Sequence, residues 1–184
     1  MAAVPSASQA KRVLCVPVLL AVCLSVCLPP RTASADPARY WPSQSWGQKD
    51  ERGDPNGPIR AFQFLLRARG YKVAPDGVYG RATERAVRQF QAAHHLIASG
   101  EANKPTWEAL VVPLKAGGSG DAVKAAQIRL RAAGFAVPVD GRFGPPMQAA
   151  VRRFQAQTDH TSDGVIGPYT WSELIERSEG DGDD

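Results

Sequence analysis

Gly70-Tyr71-Lys72-Val73-Ala74-Pro75-Asp76-Gly77-Val78-Tyr79-Gly80 returns 64 positions later (134 less 70) as Gly134-Phe135-Ala136-Val137-Pro138-Val139-Asp140-Gly141-Arg142-Phe143-Gly144. The offset holds outward from there without a gap. Phe90-Gln91 falls on Phe154-Gln155, and Thr106-Trp107 on Thr170-Trp171. A repeat of this length marks one supersecondary unit used twice, and it governs every later fold argument. Within each copy the Asp-Gly pair is a turn signal, because Asp can accept from amides just downstream and Gly tolerates positive φ. The stretch therefore reads as a short extended segment and a tight loop.

Helical patterns flank the loop. Pro58 suits a first helical position, where its missing N–H costs nothing. Ile59, Phe62, Leu65 and Leu66 follow as an apolar stripe at helical spacing, and Gly70 ends the helix. Val123, Ala126, Leu130 and Gly134 repeat this. A second helix is predicted over 81–95, with Ala86, Val87 and Phe90 inward, matched by Ala150, Val151 and Phe154. A short third helix enters through Lys104-Pro105 or Gly167-Pro168 and closes the core with Trp107 and Leu110, or Trp171 and Leu174. The fold expected is all-α, two tandem three-helix bundles. Modules of roughly 60 residues bury only about 60% of their unfolded surface, so each is marginal alone and gains from a twin.

The opening 35 residues read as an export signal. Lys11-Arg12 precedes an apolar run from Val13 to Leu28, and Ala33-Ser34-Ala35 offers a small-x-small cleavage site. The run is shorter than the ~20 residues of a membrane-spanning helix. Leu24-Ser25-Val26-Cys27 is a poor lipoprotein box, since Val26 occupies the small-residue position. The organisation expected is signal 1–35, an aromatic lead-in 36–56, repeat 1 at 57–112, repeat 2 at 113–178 and an acidic tail 179–184. Cleavage removes Lys11, Arg12 and Arg31, so the net charge falls from +4 to +1 (22 less 3 bases against 18 acids). Such a balance argues against a nucleic-acid binder.

Enzyme chemistry finds little support. Cys15, Cys23 and Cys27 all leave with the signal, which removes thiol nucleophiles and thiolate metal sites. His94 and His95 are adjacent, about 100° apart on a helix, and His160 is isolated. None has the i, i+4 spacing that shares a metal. Glu84, Glu101, Glu108 and Glu173 show no pairing of the kind glycoside hydrolysis needs. No catalytic residue, metal or cofactor is expected.

The ordered set resembles the peptidoglycan-binding type 1 family of three-helix modules. Repeat 1 supplies Gln63, Leu66, Gly70, Tyr71, Asp76, Gly77, Tyr79, Gly80, Thr83, Ala86, Val87, Phe90, Gln91, Thr106, Trp107 and Leu110. Repeat 2 supplies their counterparts except that of Thr83, together with a second pair, Asp163-Gly164. Departures occur at Ser99-Gly100, where a second Asp-Gly is expected, and at Pro145-Pro146-Met147, where methionine replaces threonine. They leave open which copy binds. The resemblance implies a secreted, wall-associated, non-catalytic protein that holds bacterial peptidoglycan, with a separately encoded hydrolase as a partner and no membrane span after cleavage. An adaptor that grips a wall enzyme or other exported protein, using Tyr40, Trp41 and Trp46, is the alternative. The contact residues expected for peptidoglycan are Asp76, Gly77, Tyr79, Arg81, Thr83, Arg85, Asn103 and Thr106 in repeat 1. In repeat 2 they are Asp140, Gly141, Phe143, Asp163, Gly164 and Thr170. Loop amides and helix N-termini suit the carboxylates of stem peptides, and two modules on one polymer gain about 10²–10⁴ in avidity.

Overall fold

Six helices appear in a computed structural model that describes residues 56–158 and 161–176. The segment expected to be a signal, the aromatics Tyr40, Trp41 and Trp46, His160 and the acidic stretch 179–184 lie outside the described residues. The helices are α1 (Pro58–Ala68), α2 (Arg81–Ala93), α3 (Lys104–Leu110), α4 (Asp121–Ala132), α5 (Pro145–Gln157) and α6 (Pro168–Glu176). Among the described residues there is no strand, only the isolated antiparallel bridges Leu114–Ile166 and Ser119–Arg142. α1–α3 form module 1 and α4–α6 module 2. The second helix is shorter than expected from sequence: His94 caps it, and His95 turns to φ 57°. Proline stands in the first turn of α1, α3 and α5, where it has no hydrogen bond to lose. α4 lacks proline and starts instead on Asp121, a carboxylate at the positive end of the helix dipole.

The predicted core stripes face inward, and both tryptophans are core anchors, Trp107 at 1% exposure and Trp171 at 0%. Phe62 meets Trp107 edge-on at 4.7 Å between ring centres. Module 2 has Ala126 at the position of Phe62, and it restores volume nearby. Ala102 and Thr83 of module 1 become Ile166 and Met147, both buried. Volume-conserving exchanges of this kind keep an interior close-packed, where a lone Phe-to-Ala change would open a costly cavity.

Eight of the eleven residues of α1 are buried, far more than one stripe needs. The reason is α4: the two first helices pack against one another, so each is covered by its own module and by the twin. Ala61 and Ala125 are both fully buried, and small side chains there let backbones approach. Polar groups fasten the seam. Arg67 Nε pairs with Asp121 at 3.1 Å. Lys124 Nζ lies 5.8 Å from the centre of the Phe64 ring. Trp171 Nε1 donates to the Val112 carbonyl in the linker at 2.8 Å.

Arg129 is the least expected member of this seam. It is fully buried on α4, at the position of Leu65. Its guanidinium donates to the carbonyls of Leu174 (3.1 Å) and Ile175 (3.3 Å) at the end of α6, and to that of Asn56 (3.0 Å) just ahead of α1. Carbonyls at a helix end lack intrahelical partners, so a cation is well placed there. In module 1 the same task falls to Arg69, which donates to Ala109, Leu110 and Val111. The two arginines come from positions one helical turn apart.

Candidate functional site

Four glutamines organise the loops in which most of the expected contact residues lie. Gln63, Gln91 and Gln127 are 0% exposed and Gln155 is 3% exposed, a burial that an amide side chain tolerates only with its hydrogen bonds made. Gln63 Oε1 accepts from the Gly77 amide at 2.8 Å. Its Nε2 donates to Asp76 Oδ1 (2.8 Å), the Val78 carbonyl (2.9 Å) and Thr83 Oγ1 (3.0 Å). Asp76 Oδ1 also accepts from the Val78 amide at 2.9 Å, closing the turn.

The same clasp recurs three times. Gln127 accepts from Gly141 and donates to Asp140 and the Arg142 carbonyl. Gln155 accepts from Gly164 and donates to Asp163, the Val165 carbonyl and Thr170 Oγ1. Gln91 accepts from Gly100 and donates to the Glu101 carbonyl and Thr106 Oγ1. At this fourth loop Ser99 stands for the aspartate, with longer contacts of 3.2 Å from the Glu101 amide and 3.4 Å from Gln91. The departure at Ser99-Gly100 therefore preserves the turn. At Met147 the clasp loses its threonine, and a thioether fills the space.

This wiring decides where the expected contact residues stand. Thr83, Thr106, Thr170 and Phe143 are buried, and the three threonine hydroxyls point to glutamine amides. Gly77, Gly141 and Gly164 are buried and give their amides to glutamine oxygens. Asn103 caps α3, accepting from the Thr106 amide at 3.2 Å and from its hydroxyl at 2.7 Å. Tyr79 ties one loop to the next, its hydroxyl donating to the Gly100 carbonyl at 2.7 Å. Burial pushes that phenol far above its ordinary value, with Glu84 and Glu101 adding to the effect. Asp76, Asp140 and Asp163 are exposed on their outer sides. The Arg142 amide and the Gln127 side chain hold the Asp140 carboxyl below its ordinary value.

Arg81 and Arg85 stand apart from this wiring. Both are exposed on α2, and their guanidinium groups have no partner among the described residues. Arg88 differs: it pairs with Glu84 at 2.8 Å and donates to the Ala98 carbonyl. Arg85 borders an open cleft of about 360 Å³ between the exit of α1 and the face of α2, lined also by Gly70, Tyr71, Lys72, Ala82 and Gln89. The Tyr71 ring is fixed edge-on to Phe90, 5.8 Å between centres. Sequence reasoning did not single out Lys72 or Gln89, because neither lies in the repeated pattern. It placed the four glutamines in that pattern without giving them a role. Their signal was a polar residue within each apolar stripe, 14 residues ahead of the turn glycine for Gln63 and Gln127 and 9 ahead for Gln91 and Gln155.

Among the described residues no group of three His, Cys, Asp or Glu side chains is placed to hold a metal ion, and no helix is long and apolar enough to cross a membrane. The sequence profile of the putative peptidoglycan binding domain family matches this chain twice, over residues 55–110 and 119–174. An uncharacterized protein from the bpoA1 3' region of Kitasatospora aureofaciens is 50% identical over 58 residues, 30% of this chain and 49% of that one. The zinc D-Ala-D-Ala carboxypeptidase of Streptomyces albus G is 38% identical over 71 residues, 37% of this chain and 28% of the enzyme. A crystal structure of a peptidoglycan-binding protein from Clostridioides difficile in complex with glutamine hydroxamate is 40% identical, covering 37% of this chain and 43% of that one, with a TM-score of 0.36. The chain thus spans about half or less of each of these relatives.

Proposed function

This chain belongs to the putative peptidoglycan binding domain family, and we propose that it is an exported, non-catalytic protein that attaches to bacterial peptidoglycan through its two modules. The observation that carries the reading is the tandem match, which takes in the first five helices and all but the last two residues of α6. Each module spends its buried polar groups on holding loops in place, which leaves rigid, solvent-facing positions for contact. The contacts are assigned to the exposed members of the expected set: Asp76, Arg81, Arg85, Asp140 and Asp163, with the half-buried Tyr79 and Asn103 at their edge. Peptidoglycan offers sugar hydroxyls, amides and free carboxylates, and cationic side chains on a rigid helix suit the last of these. The segment shared with the carboxypeptidase covers a minor part of that enzyme, which suits a targeting role beside separate chemistry. A separately encoded wall hydrolase is the partner this chain would bring to its substrate.

Co-sedimentation with insoluble peptidoglycan stripped of teichoic acids tests the proposal. Saturable pelleting of the purified chain is the expected result. A chain that stays in the supernatant with walls of several chemotypes would refute direct binding.

A further inference from the structure

The two modules differ in charge along the cleft between the first and second helices. In module 1 its rim carries Lys72 and Arg85, with Gln89 one turn further along α2. No acidic side chain lines it, and neither cation has a partner among the described residues. At the twin positions module 2 has Ala136 for Lys72, Ala149 for Arg85 and Arg153 for Gln89, while Pro146 replaces Ala82. Two cations at these positions thus become one. The core beneath is kept: Tyr71 against Phe90 at 5.8 Å is matched by Phe135 against Phe154 at 6.1 Å. The framework is shared by both modules, and the charge belongs to the first.

We propose that the module 1 cleft is a carboxylate-binding subsite that takes the free C-terminus of a short peptide, a contact that module 2 does not duplicate. The proposal rests on the wall-binding reading and names the group recognised and the module that recognises it. A guanidinium presents paired donors that match a carboxylate's two oxygens, and an ammonium beside it adds a point charge. The apolar floor of Tyr71, Ala82 and Ala86 suits a small methyl side chain next to that carboxylate. Phosphate oxygens also suit a guanidinium beside an ammonium, so a phosphate ester is the competing ligand in the test. At about 360 Å³ the space lies near the lower end of small-ligand sites, enough for a terminal dipeptide. Module 2 touches this region only indirectly, through the packing of α4 on α1, the helix that leads into the cleft.

The test titrates the ¹⁵N-labelled full chain with N-acetyl-D-alanyl-D-alanine, its C-terminal carboxamide, and glycerol phosphate. Wall pelleting is measured in parallel for the wild type, K72A/R85A and R153A. The substituted residues are exposed or at the surface, and an unchanged melting temperature confirms that each variant folds. The expected result is amide shifts at Gly70, Tyr71 and Lys72 with the acid alone. K72A/R85A should weaken both peptide binding and pelleting by about tenfold or more, and R153A by no more than about twofold. Equal shifts with acid and carboxamide, equal or larger shifts with glycerol phosphate, or shifts centred on module 2 would overturn the proposal. Pelleting that K72A/R85A leaves intact would overturn the cleft and leave wall binding standing. Acid-specific shifts without any pelleting would support the cleft and reject wall binding, and the failure of both would reject both.

Discussion

Replacing Gln63 with leucine removes four hydrogen bonds while keeping most of the side-chain volume. The Gly77 amide loses its acceptor inside the protein, which costs about 1–3 kcal/mol. Asp76 is exposed and the Val78 residue half-buried, so water can replace part of what they lose, and each contributes about 0.5–1 kcal/mol. Thr83 keeps a longer bond of its own to the Val78 carbonyl at 3.3 Å. The sum is a destabilisation of about 3 kcal/mol, a sizeable part of the ~5–15 kcal/mol that holds a domain together. Urea unfolding followed by tryptophan fluorescence should show the midpoint fall with an unchanged slope. Q127L breaks three such bonds and no threonine contact, so its loss should be smaller, about 2 kcal/mol. Q63E adds a sharper check, because it keeps an acceptor for Gly77 but sets a carboxylate against Asp76 Oδ1. It should be more damaging than Q63L at neutral pH and recover as acid protonates one of the pair. If Q63L lies within about 0.5 kcal/mol of the wild type, or Q63E shows no such recovery, the glutamine clasp does not hold the loop.

Two further outcomes follow from the same wiring. R129M should cost about 2–4 kcal/mol by thermal or urea unfolding, because three carbonyls lose a charged donor in a buried seam. R69M, whose residue is exposed, should cost less, and equal losses would remove the case for Arg129 as an inter-module clamp. Asp140 supplies a pH dependence: its folded carboxyl titrates below its ordinary value of 3.8, so its contribution is present above that value and is lost as pH falls through the lower folded one. Melting temperatures between about pH 5 and about pH 2 should therefore fall less for D140N than for the wild type, and parallel curves would contradict the assignment.

Local patterns made the module legible and the site obscure. The 64-residue offset, the proline starts and the apolar stripes each report a short-range preference of the chain, and α1, α2 and α3 with their twins follow them closely. The Asp-Gly pairs announce turns for the same reason. They do not disclose that a glutamine 14 residues before the turn glycine consumes its amide, since that bond exists only once a helix and a loop have met. Hence residues such as Thr106 and Thr170, which read as contact candidates from the recurring pattern, turn out to be buried partners of Gln91 and Gln155.

By itself the sequence determined the number of modules, the helices within each and the main apolar stripe of each core, because periodicity and turn chemistry act over a few residues at a time. Only the tertiary structure decided that the modules share one seam, and that Arg129 rather than a twin of Arg69 closes α6. It also brought Lys72 and Arg85 to one cleft although 13 positions separate them (85 less 72). Such facts depend on which surfaces come together in space, and burial of a face or a charge is a property of the assembled fold that no local pattern records.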